Sequence, residues 1–113
     1  MSEMLEQQVI EHLQLLLGQY QQIDALADEM LSRRQQSQPI DALMDQLRDG
    51  RNQISAIESS AAETMQRYRG TRQHASPPVN RLTDETKQLI EKLMLKVASL
   101  EQSARQAYHQ LIP

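Results

Sequence analysis

Apolar residues recur along the first third of the chain at Val9, Leu13, Leu16, Tyr20, Ile23, Ala27 and Met30. The steps alternate four and three, the heptad seam of one long helix whose stripe must be covered by other helices. This spacing predicts a helix over residues 2–36. A second stripe, from Leu43 and Leu47 through Gly50, Ile54, Ile57, Ala61 and Met65 to Tyr68, predicts a helix over 39–69. A third, Thr86, Ile90, Leu93, Val97, Leu100, Ala104, Ala107 and Leu111, predicts one over 84–112. Helices about 45 Å long, joined by connections too short to return along that length, must run up, down and up. The pattern therefore predicts a single all-α domain over 1–113, an elongated antiparallel three-helix coiled-coil bundle in which each helix touches the other two.

The breaks between the stripes carry their own signals. Pro39 suits the first position of the second helix, where a fixed φ and a missing N–H cost nothing. Asp41 and Asp45 favour that helix's start, Arg67 and Arg69 favour its end, and Gly70 is placed to serve as a left-handed cap. The segment GTRQHASPPVNR follows, and Pro77 with Pro78 predicts a non-helical linker over 70–82. Thr83 then reads as the N-cap of the third helix. Gly18, inside the first helix, costs about 1 kcal/mol relative to Ala. It either admits a close neighbour or is tolerated because the seam dominates.

Composition narrows the chemistry. The 113 residues include no Phe, no Trp and three Tyr, so the core must be Leu, Ile, Met, Val and Ala, which suits helix seams better than sheet faces. Without cysteine there is no disulfide, thiolate nucleophile or cysteine-based metal site. Glu3, Glu6 and Glu11 stand where an export signal would carry basic residues, and no run approaches 18 apolar residues, so a cytoplasmic chain without a membrane span is expected. The net charge of −3 is unevenly spread: residues 1–32 hold acids and no Lys or Arg, whereas 33–81 are rich in Arg. Acid on one helix beside Arg on the next reads first as pairing between neighbours.

Candidate sites are few. His12, His74 and His109 lie on separate segments and none has the i, i+4 spacing of a metal pair. The pairs Asp24 with Asp28 and Asp41 with Asp45 read as solvent groups, and no Gly-rich phosphate loop exists. No catalytic, cofactor or metal site is expected, and hence no enzyme. Arg67, Arg69, Arg72 and Arg81 offer a nucleic-acid contact, but the acidic balance and the lack of a stacking platform argue against it. The sharper signal is apolar residues off the seams. Leu15 and Leu26 lie about 100° from the centre of the first seam, Leu95 points away from the third, and Met44 stands outside the second. Met94, Tyr108 and Ile112 share a flank beside Ile90. Such residues either widen the core or form a groove for another amphipathic helix.

The segments LEQQVIEHLQLLLGQYQQIDALADEML and PIDALMDQLRDGRNQISAIE, followed by a Leu-rich amphipathic helix, resemble the FlgN-like flagellar export chaperones, with FliT-like chaperones close behind. The resemblance implies a small acidic cytoplasmic chaperone of flagellar, type III secretion export. Such a protein holds the helical end of a hook-associated or filament-cap protein. It implies a partner-binding surface on the C-terminal helix, here Leu93, Met94, Val97, Leu100, Tyr108 and Leu111, to which the flank analysis adds Ile90 and Ile112. The expectation is thus a non-enzymatic helical binding module. A self-associating structural coiled coil, a homo-oligomer, is the alternative, and a nucleic-acid-linked regulator the third reading.

Overall fold

A computed structural model describes the backbone of residues 2–71 and 76–111 and the side chains of 4–70 and 76–102. Three helices, α1 (Ser2–Gln35), α2 (Asp41–Thr71) and α3 (Pro77–Leu111), form an antiparallel bundle 64 × 21 × 20 Å in extent. Among the described residues there is no strand. The all-α three-helix bundle is as the heptads predict. One feature differs: α1 packs against both α2 and α3, while α2 and α3 make no close approach to each other. The helix α1 is the spine: among the described residues its backbone alone comes close to both neighbours.

The α1 seam supplies the core. Val9 and Leu13 pack with Tyr68 of α2 and with Val79 and Leu82 of α3, closing the end where α2 hands over to α3. Further along, Ile23 and Ala27 pack with Ile54 of α2 and Leu93 of α3, backed by half-buried Leu16, Tyr20 and Leu47. Burying one such aliphatic side chain stabilises by about 1.5–3 kcal/mol, so these two clusters carry most of what joins the helices. Gly50 marks a close approach of α2 to the spine, since a Cβ there would stand 3.2 Å from Ile23 Cγ1. Gly18 has open space instead, with nothing within 4 Å of an added Cβ, so it is tolerated and admits no neighbour.

The helix ends depart from the sequence signals in three places. The chain leaves α1 through Ser37, which has a φ of 57°. Gln38 N–H donates to the Arg33 carbonyl at 2.8 Å and Ser37 N–H to the Arg34 carbonyl at 3.1 Å, a Schellman turn with serine where glycine is usual. Next, α2 starts at Asp41 and not Pro39; the Ile40 carbonyl accepts the Met44 N–H at 2.9 Å, so Ile40 is the cap and Pro39 lies outside. At the other end Gly70 is inside α2 and no described glycine has a positive φ, so it is not a left-handed cap.

The largest correction is the start of α3. It begins at Pro77, seven residues before the expected 84, so residues 77–82 of the supposed linker are helical. Two consecutive prolines are compatible with a first turn because the N–H groups they lack would have no partner there anyway. Ser76 is the cap: its carbonyl accepts the Asn80 N–H at 2.9 Å, and its own N–H donates to the Tyr68 hydroxyl at 3.0 Å. Val79 and Leu82 are core residues. Thr83 is interior to the helix, its Oγ1 donating to the Val79 carbonyl at 2.8 Å. Arg81 is helical too, and Arg72 lies outside the described residues.

The register of α3 on α1 is fixed by charge as well as packing. Lys96 Nζ donates to Asp24 Oδ1 at 2.6 Å and lies 2.8 Å from Asp28 Oδ1. The two carboxylates that read as solvent groups are therefore a clamp for one lysine of the neighbouring helix. Those hydrogen bonds, to Asp24 first and Asp28 second, hold the Lys96 ammonium above its ordinary pKa despite partial desolvation.

Candidate partner-binding groove

Because the backbones of α2 and α3 each lean on α1 without approaching one another, a groove runs between them. Its floor is Tyr20 and Ile23 of α1. The α2 wall runs from Leu47 through Arg51, Ile54 and Ser55 to Glu58, and the α3 wall from Ile90 to Glu101. Each wall spans 11 residue steps, about 16 Å or three helical turns. The groove has a volume of about 590 Å³. Its apolar character comes from a simple mismatch: three seams are present, but only the spine's is covered from two sides.

The α3 wall contains much of the surface predicted from the third helix. Met94 is 67% exposed and Val97 40%, although Val97 is a seam position. Ile90 is half-buried at one end of the wall, and Leu100 is half-buried as well. Leu93 also lines the groove, yet it is buried against Ile23 and Ala27, so it is floor and core before it is contact surface. The side chains of Tyr108, Leu111 and Ile112 lie outside the described residues, so the flank is seen only in its first half.

The α2 wall and the Tyr20 floor were not among the predicted site residues. A signal existed, since Arg51, Ser55 and Glu58 follow the same 4–3 spacing one position round from the α2 seam. It stays silent unless α3 is known to stand away. Tyr20 is polarised within this site. Burial first, then the negative charge of Glu58 and a hydrogen bond to it, hold the phenol above its ordinary pKa.

The other off-seam residues are elsewhere. Leu15 is 57% exposed and Leu95 is 74% exposed, neither of them lining the groove. Leu26 borders a smaller dent of about 190 Å³ between α1 and α2, walled mainly by Gln19, Gln22, Gln46 and Gln53. Arg67 pairs with Glu63 on its own helix at 2.7 Å. Half-buried His12 has an Nδ1 without a hydrogen-bond partner among the described residues, and His74 and the His109 side chain lie outside them. Among the described residues no three His, Cys, Asp or Glu side chains converge as metal ligands, and no helix is long and apolar enough to cross a membrane.

No protein-family model, curated protein or solved structure matches this chain.

Proposed function

We propose that this protein is a non-enzymatic helix-holding module, a cytoplasmic chaperone of the FlgN-like flagellar or type III export kind. Its client is the amphipathic helical end of a hook-associated or filament-cap protein. The observation that carries this reading is the groove itself: three turns long, floored by Tyr20 and Ile23, with Met94 and Val97 exposed in one wall. An amphipathic helix of about 11 residues fits that length, and the apolar stripe it would otherwise expose completes a local four-helix arrangement. Met94 suits such a role because an unbranched thioether adapts to whichever side chain arrives.

The test is direct binding. A synthetic peptide spanning the helical end of a hook-associated protein should bind one-to-one in calorimetry. Changing Met94 and Val97 together to Ser should weaken it about tenfold or more, the scale of one interface hot spot, with helicity retained. Unchanged affinity in the double variant would remove the groove from the reading. Absence of binding to every hook-associated and cap peptide tried would remove the export assignment.

A further inference from the structure

Three charged residues line the groove: Arg51 and Glu58 on the α2 wall, and Glu101 at the end of the α3 wall. They differ in how their charge can be answered within their own helix. Glu101 has Arg105 four residues on, the spacing at which opposite charges pair along a helix. The protein uses that spacing elsewhere, with Arg33 on Glu29 at 2.8 Å and Arg67 on Glu63 at 2.7 Å. Arg51 and Glu58 have no such recourse. The residues three and four positions either side of each are apolar or small, apart from Arg48, whose charge has the same sign as that of Arg51. Neither makes an ion pair among the described residues, and Glu58 accepts a hydrogen bond from the uncharged Tyr20 phenol.

Arg51 and Glu58 are seven residues apart, so they share one face of α2, about 10.5 Å apart along its axis. The opposite wall, Met94, Val97 and Ala98, carries no charge before Glu101. The groove is therefore two-sided, with an apolar wall on α3 and one cation and one anion, two turns apart, on α2. The protein already sets a helix register by this means, since Lys96 of α3 is held by Asp24 and Asp28 of α1. We infer that the client helix is two-sided in the matching sense. Its apolar stripe faces the α3 wall, and on the flank toward α2 it carries an acidic and a basic side chain seven residues apart, the acid on Arg51 and the base on Glu58. This rests on the groove being the client site and adds the client's charge register to it. An exposed ion pair adds little attraction. Like charges set opposite one another cost more, so the pattern selects among amphipathic helices of equal apolarity.

Calorimetry with three synthetic helical peptides tests the register. All carry the same leucine stripe and differ only at two flank positions seven residues apart, which hold Glu with Lys, two Lys, or two Glu. One acid and one base can meet Arg51 and Glu58 in either direction of the peptide, so the comparison does not depend on its polarity. The mixed peptide should bind the wild-type protein at least tenfold more tightly than either like-charged one. Arg51→Glu should move the preference to the two-Lys peptide, and Glu58→Arg should move it to the two-Glu peptide. Both side chains are exposed, so helicity by circular dichroism should stay at the wild-type level in each variant. Added salt should narrow the differences. Equal affinity for all three peptides, or preferences that ignore the two variants, would overturn the register while leaving the groove a helix site. Binding of none of them would overturn it together with the groove, and if that protein also sediments as a dimer, a second copy is the groove's occupant.

Discussion

Two glycines in similar helical settings do opposite things. Gly18 sits in α1 with no heavy atom near the place of a Cβ, so it gives up helix propensity without any packing return. Gly50 sits in α2 with Ile23 Cγ1 3.2 Å from that place. Gly18→Ala should therefore stabilise by about 1 kcal/mol, while Gly50→Leu should destabilise by about 1–3 kcal/mol by forcing α2 off the spine. Thermal denaturation of the two variants checks both signs, and a loss at Gly18 would mean that α1 has a neighbour there. Residue type alone could not separate these sites, since sequence shows a glycine in each helix but not what stands beside it. The same blindness misplaced the left-handed cap. Gly70 has the usual identity, yet α2 continues through it, and the turn that does need a positive φ, after α1, falls on Ser37. A non-glycine residue accepts that conformation at a cost of about 1–2 kcal/mol, offset here by the two Schellman hydrogen bonds.

At the scale of elements, the existence of all three helices and the buried face of α1 are legible in the sequence, and the helix ends are not. Val9, Leu13, Ile23, Ala27 and Met30 are buried as the 4–3 spacing of α1 requires, because a long helix in water has no other means of hiding a regular stripe. The start of α3 was misread because two prolines were weighed as helix breakers, when position decides: in a first turn they remove donors that are orphaned anyway. What anchors that start is a contact between segments distant in sequence terms from any cap signal, the Tyr68 hydroxyl on the Ser76 N–H at 3.0 Å. Tyr68 is 4% exposed, so water does not replace its hydroxyl readily. Tyr68→Phe should thus cost about 1–3 kcal/mol, the penalty for leaving a buried donor unpaired, and should raise amide exchange in the first turn of α3. A melting temperature equal to wild type, with that turn still protected, would show the hydroxyl to be dispensable.

For the molecule as a whole, the arrangement of neighbours matters more than the seams themselves. Periodicity states which side chains need cover, not which helix supplies it, so a closed triangle and a spine with two separate flankers read alike in sequence. That is why Val97, a seam position, is 40% exposed, and why the α2 wall of the groove was missed. The open arrangement has a mechanical consequence. With the α2 and α3 backbones apart, the two helices are coupled chiefly through α1, save at the end where Tyr68 meets the start of α3. Leu93 is the α3 residue that packs on Ile23 and Ala27, and Leu93→Ala should cost about 2–5 kcal/mol as a buried truncation. In a closed bundle that loss would be shared by all three helices. Here hydrogen exchange should rise chiefly along α3 around residues 86–100 and on the α1 turns it covers, while the α2 segment around Gly50, seated directly on Ile23, stays closer to wild-type protection. Amide exchange read by mass spectrometry distinguishes the two cases, because α2 peptides lie well apart from α3 peptides in sequence. Equal acceleration in α2 and α3 would mean that the three helices open as one unit and that the groove is closed in solution. Selective acceleration of α3 would leave α1 with α2 as the more persistent hairpin, and α3 as the wall free to shift when a helix enters beside it.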